Sequence, residues 1–217
     1  MGTGYHGGVV VGLIFTLMFT VIALSIERYF ALRTAFGKGS LTKFVQEVKA
    51  AVKANDFAKA RALCDKQQGS VANVVLASVN TYSEMENTTG IKKSQKVAKI
   101  QQAHEEATQL EMPTLQMNLP IIATIVTLGT LTALFGTVLG MIGSFQALAA
   151  GGGGDSLALS MGISEALVNT ASGIATSWVA VVAYNTYTNK IDKLTYALDE
   201  VGYSIAQTYE ANHTEEA

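Results

Sequence analysis

Glu165 is an acid in a stretch that otherwise avoids charge. From Met112 to Asn189 there is no Lys or Arg, and the only carboxylates are Asp155 and Glu165. A carboxylate near the centre of a membrane helix costs about 2.5–3.5 kcal/mol on insertion scales, so acids kept there face a cavity or a partner. Asn169, Ser172 and Thr176 follow Glu165 at helical spacing, and the four fall within about 40° of one stripe on an ideal helix. The opposite face carries Leu167, Ile174, Trp178 and Val181, suited to lipid or neighbouring helices. The residues themselves leave two readings open. The stripe is an ion or proton path, with Asn169, Ser172 and Thr176 as pore-lining candidates, or Glu165 is a structural polar tie between helices.

A second set of small and hydroxylated residues lies upstream. Ala123, Thr130, Thr137 and Ser144 repeat every seven positions, as do Gly129, Gly136 and Gly143. Small residues let membrane helices approach closely, and threonines bond across the contact. Gly136 and Gly140, a GxxxG pair, and Gly173 are therefore candidates for helix packing. Thr130 and Thr137 suit pore lining and packing equally well.

Other chemistry finds little support. His6, His104 and His213 are scattered, and no His pair or carboxylate pair has metal-site or hydrolytic spacing. No catalytic residue, metal or cofactor is expected. The run Gly151–Gly154 lacks the Gly-Lys-Ser/Thr of a phosphate loop, and Asp155 reads as a solvated loop residue. Glu27 beside Arg28 reads as an interface anchor. Cys64, the only cysteine, excludes an intrachain disulfide. Basic residues interleaved with acids, without aromatic partners, argue against nucleic acid.

The elements that must position these residues are membrane helices. Of 217 residues only 15% are charged and 49% are apolar, against about a quarter charged in soluble domains. Three charge-poor runs stand out: Gly8 to Ile26, Leu119 to Ala150 and Leu157 to Tyr187. Each reaches or exceeds the ~20 residues that cross a bilayer. The second, about 48 Å long as a helix, exceeds the bilayer, with Pro120 near its start where proline is tolerated. No basic residue precedes the first run, so a removable leader is not expected.

Of the 15 Lys and Arg residues, 13 lie between Arg28 and Lys99, and Lys190 and Lys193 follow the third run. The positive-inside rule then places the central segment and the tail in the cytoplasm, with the N-terminus and glycine loop outside. The expected organisation is an extracytoplasmic N-terminus at 1–7 and membrane helices at 8–27, 113–150 and 157–189. A cytoplasmic helical region occupies 28–112, a glycine loop 151–156 and a helical tail 190–217. Within the central region, Phe44, Val48 and Val52 mark one apolar helical face, and Asn55-Asp56 caps a helix through Phe57, Ala60 and Leu63. Gly69-Ser70 marks a turn, Ala72–Met85 a third helix and Ile91–Met112 a fourth. The region looks too fragmented for a large core of its own. The fold class is an all-α membrane protein with three transmembrane helices extended into a helical cytoplasmic region.

Several segments are similar to one known family. Ala-Leu-Ser-Ile-Glu-Arg-Tyr-Phe-Ala-Leu (23–32) resembles the end of the first membrane helix of the MotA/TolQ/ExbB proton-channel family, and Asn-Asp-Phe-Ala-Lys-Ala-Arg-Ala-Leu-Cys (55–64) its first cytoplasmic segment. Residues 119–125 and Leu-Phe-Gly-Thr-Val-Leu-Gly-Met-Ile-Gly-Ser-Phe (134–145) resemble its second membrane helix. Ile-Ser-Glu-Ala-Leu-Val-Asn-Thr-Ala (163–171) and 180–185 resemble its third. The likeness covers about residues 20 to 195. Three membrane helices point to the ExbB and TolQ branch, and Ile-Glu-Arg leans toward ExbB.

The resemblance implies a homopentamer in the bacterial inner membrane. Its second and third helices would surround a dimer of ExbD-like single-helix subunits, and proton flow would energise TonB-type transport through a TonB-like protein. By motif it makes Glu165, Thr137 and Thr170 the pore-facing acid and threonines, although Thr170 sits about 140° from Glu165 on an ideal helix. The chain departs from many relatives where Thr130 and Val179 replace prolines and Asn169 replaces an alanine. Two other roles fit the same features: a TolQ-like subunit for envelope maintenance, and a non-conducting scaffold for a secretion or signalling complex.

Overall fold

The computed structural model describes residues 4–150 and 156–213, and every element there is helical. The glycine run and Asp155 lie outside the described residues. Seven helices follow in chain order: α1 (Gly4–Ala35), α2 (Leu41–Lys53), α3 (Phe57–Gln67), α4 (Gly69–Asn87), α5 (Lys93–Gln116), α6 (Leu119–Ala150) and α7 (Ser156–Asn212). Three windows are long and apolar enough to cross a membrane, within Gly8–Ala35, Lys93–Ala149 and Leu159–Asn212. The third apolar run and the tail form one uninterrupted helix of 57 residues. The chain divides into two compact units, one of residues 1–28 and 118–187 and one of residues 29–117 and 188–217.

The membrane unit packs α1, α6 and the first half of α7. Val21, Ile122, Ile125 and Ala180 form one buried cluster, and Val10, Ile14 and Ala133 another. Larger side chains point outward: Phe19, Leu131, Phe135 and Trp178 are all more than half exposed. Lipid is as apolar as leucine, so these helices gain little by hiding large apolar groups from it. α5 ends two residues before α6. The break is made by Asn118, at φ 64°, whose side chain donates to Glu27 Oε2 at 3.0 Å. Glu27 in turn accepts from Arg28 Nε at 2.7 Å and from Nη2, and the guanidinium is almost wholly buried. The expected interface anchor is thus half of an ion pair that holds the start of α6.

The second unit has a conventional interior. α2 buries the stripe Phe44, Val45, Val48, Ala51 and Val52. Asp56 caps α3 by accepting from the Lys59 amide at 3.0 Å, as its position predicts. α4 buries Val71, Val74, Val75, Val79 and Tyr82. Residues 29–117 do not stand alone, as expected, but form one compact unit with the tail. The tail of α7 supplies a wall, with Ile191, Leu194, Leu198, Val201, Ile205 and Tyr209 buried at steps of three or four residues. Tyr82 packs edge-on against Tyr209 at 4.8 Å and at a tilt against Phe57 at 4.9 Å.

The turn expected at Gly69-Ser70 falls at Gln68-Gly69, and Ser70 is already helical. Gly37 (φ 75°) and Gly69 (φ 82°) let the turn after α1 meet the start of α4 backbone to backbone, and the Lys38 amide donates to the Gln67 carbonyl at 2.6 Å. Cys64 is 2% exposed. Burial, with a contribution from Asp65, pushes its thiol up to about 12, which leaves it a packing residue.

Candidate functional site

α6 and α7 meet closely because the residues between them are small. A Cβ on Gly173 would fall 2.6 Å from the Gly129 carbonyl oxygen, and one on Gly140 would fall 3.0 Å from Ala166 Cβ. Gly136 faces both Val10 of α1 and Asn169 of α7. All three glycines with candidate packing roles therefore lie where a neighbouring helix passes.

Into this contact project hydroxyls in antiparallel register. Thr130 Oγ1 donates to Ser177 Oγ at 2.9 Å. One heptad along, the hydroxyls of Thr137 and Thr170 are bonded to each other. One heptad further, Ser144 Oγ lies against Gly162 and donates to the Gly140 carbonyl at 2.8 Å. The seven-residue repeat on α6 is thus met by steps of seven and then eight residues on α7, running the other way. Each hydroxyl has one proton, so one of the two donates to the other while its partner donates along its own helix, Thr137 to the Ala133 carbonyl at 3.0 Å or Thr170 to the Ala166 carbonyl at 3.2 Å. Hydroxyls that bond back along their own helix are satisfied in lipid.

The Glu165 stripe divides. Glu165 itself is exposed on the surface of the chain, and Ser172 is half-buried beside it. Asn169 and Thr176 turn inward and are fully buried. Thr176 is satisfied by the Ser172 carbonyl at 2.9 Å. Asn169 is not: neither its Nδ2 nor its Oδ1 has a partner among the described residues. An unpaired buried amide costs about 1–3 kcal/mol, so Asn169 is the least settled group in the contact. Thr170 shares the α6 side with Asn169, not the Glu165 side. Leu167, Ile174 and Trp178 are exposed on the opposite face. One chain therefore brings together Thr137, Thr170, Thr130 and Asn169, and leaves Glu165 outside that group.

Ser177 and Gly162 belong to this layer and were not anticipated, whereas Gly129 sits in the contact as its place in the small-residue repeat suggests. The signal for Ser177 and Gly162 is the antiparallel pairing of the α6 repeat with small residues of α7, visible only once the two helices are set side by side.

Residues 68–200, more than half of the chain, match the model of the MotA/TolQ/ExbB proton channel family. The chain belongs to that family. A Tol-Pal system protein TolQ of Pseudomonas aeruginosa is 26% identical over 185 residues, covering 82% of this chain and 79% of that protein. An ExbB-like biopolymer transport protein of Synechocystis is 34% identical over 87 residues, 39% of this chain and 41% of its own length. A TolQ of Haemophilus influenzae is 32% identical over 84 residues, 39% of this chain and 37% of its own length. As a MotA/TolQ/ExbB chain it falls in a proton-channel family and not an enzyme family, and its all-helical build with three membrane-competent helices fits that class. The match takes in the whole hydroxyl layer and Glu165.

Proposed function

We propose that this chain is the pore-forming subunit of a proton-driven inner-membrane motor. It acts as a homopentamer around an ExbD-like dimer and energises TonB-dependent outer-membrane transport. The observation that carries the reading is Glu165: one carboxylate, exposed on a helix otherwise free of charge across the bilayer, with no place inside its own chain's packing. An acid so placed needs a water-filled lumen or a partner beside it, and a ring of identical chains supplies that face five times. The Thr137–Thr170 hydroxyl pair then lies five residues along α7 from the acid and Thr130 further along the same contact, as the wall that shapes the path. The proposed topology keeps both basic segments in the cytoplasm, with the N-terminus in the periplasm.

The test is Glu165→Gln and Glu165→Ala in cells that depend on this chain. Energised uptake is lost in both while the complex still assembles at normal level. Full uptake in both removes Glu165 from the mechanism, and loss of assembly makes it a structural tie.

The TolQ-like role is favoured by one observation, the TolQ relative that aligns over 82% of the chain. Complementation separates the two roles. Rescue of envelope integrity without rescue of TonB-type uptake assigns the chain to the TolQ role.

A further inference from the structure

A cavity of about 990 Å³ opens within the second unit, walled by the end of α1, the α1–α2 turn, the start of α4 and the Lys190–Lys193 stretch of α7. Its lining contains four cations, Arg33, Lys38, Lys190 and Lys193, and no carboxylate. Asp192, between the two lysines in sequence, is not part of it. We propose that this cavity binds a phosphate-bearing anion, and that the source is the headgroup of an anionic phospholipid.

Three further features favour an anion. Gln68 and Gly69 bring the N-terminus of α4 to the cavity, and that helix has no acid in its first turn and no side-chain cap. Its positive end adds to the four cations. The wall is preformed, because a Cβ at Gly69 would sit 2.6 Å from the Ala35 and Thr34 carbonyl oxygens. The volume lies within the range of small-molecule sites.

The lipid source follows from where the cavity sits along the chain. Tyr29 lines it three residues after the first apolar run ends at Ile26, and Lys190 three residues after the third ends at Tyr187. Lys190 Nζ lies 5.7 Å from the centre of the Tyr29 ring, a tyrosine at the level where amphipathic rings meet headgroups. Leu32 and Phe36 add apolar wall for the glycerol end of a lipid. Cationic pockets at the cytoplasmic surface attract anionic headgroups. From the preceding reading the proposal takes only that the basic end of α1 and the Lys190–Lys193 stretch of α7 lie at the cytoplasmic membrane surface.

The test uses the purified full-length complex in detergent, followed by thermal unfolding during titration with short-chain phosphatidylglycerol, phosphatidylcholine of the same chain length, or inorganic phosphate. Phosphatidylglycerol stabilises the complex saturably, and the other two do not. The double variant Arg33→Gln/Lys190→Gln binds phosphatidylglycerol about tenfold to thirtyfold more weakly. Lys59→Gln/Lys66→Gln, which removes two exposed lysines of α3, binds it normally. Equal weakening in both doubles, or in neither, overturns the site. Inorganic phosphate binding as tightly as the lipid overturns the lipid source. None of these readouts depends on proton flow, so failure here is separable from failure of the channel reading at Glu165.

Discussion

The two units of this chain are built on opposite rules. The membrane unit puts glycine, alanine, serine and threonine between its helices and turns Phe19, Leu131 and Trp178 outward. The second unit puts Tyr82, Tyr209, Leu194 and Val74 inside and its lysines and glutamates outside. The solvent explains the inversion. In water, burying a large apolar side chain stabilises by about 1.5–3 kcal/mol. In lipid that gain vanishes, and close backbone approach with hydroxyl bonds remains. Polar groups are therefore ordinary interior residues in the first unit, whereas in the second they occur as isolated pairs such as His104 with Ser78.

Substitutions can break this contrast, beginning with the loss of transport at Glu165. If that carboxylate serves conduction and not packing, Glu165→Gln abolishes proton flux in proteoliposomes yet leaves thermal unfolding of the complex unchanged. Next in size is Tyr82→Ala. It removes an aromatic side chain that is fully buried and should destabilise the second unit by about 3–5 kcal/mol, seen as early protease cleavage between residues 57 and 90. Phe at the same position should retain most of the stability.

Gly173→Leu tests the rule for the membrane unit. Even its Cβ would sit 2.6 Å from the Gly129 carbonyl oxygen, so overpacking should cost about 1–3 kcal/mol, measured as a lower unfolding temperature in detergent. A neutral outcome would mean that α6 and α7 are not held by close approach. Thr137→Val should cost about 0.6–1.7 kcal/mol by removing one hydroxyl pair, and Thr137→Ser should restore it.

The smallest effect is a pH slope in the second unit. His104 is buried, and the loss of water lowers its pKa below the ordinary 6.5, against the opposing pull of Asp199 and Glu105. The unfolded chain therefore binds this proton more readily than the folded one. Stability from the neutral ring is fully present above pH 6.5 and is lost as pH falls from there toward the lowered folded value. His104→Gln should flatten that part of the stability–pH curve. An unchanged curve would place the slope elsewhere.

Much of the architecture could be read from residues alone, and the reasons are local. A charge-free run such as Leu119–Ala150 has one stable answer in a bilayer, because unpaired backbone groups are not tolerated there. Asp56 announces a helix start for an equally local reason, and residues 23–32, 134–145 and 163–171 carried the family. The core of the second unit was less legible. Its α7 wall is more than a hundred residues from α2 and α4, and the three-four spacing of Ile191, Leu194, Leu198 and Val201 does not say which helix it will meet.

The stripe at Glu165 shows the same division most sharply. Helical spacing put Glu165, Asn169, Ser172 and Thr176 on one face, and that arithmetic is a property of the chain. Whether a face is open or covered is decided by its neighbours. α6 closes over Asn169 beside α1, Thr176 is buried as well, and Glu165 is left exposed. Composition and charge order determined that this chain has three membrane-competent helices and that its basic residues fall in the segments outside the apolar runs. Only tertiary packing decided which of its polar residues look inward, because a helix's period is set by its own hydrogen bonds and its burial by the surfaces brought against it.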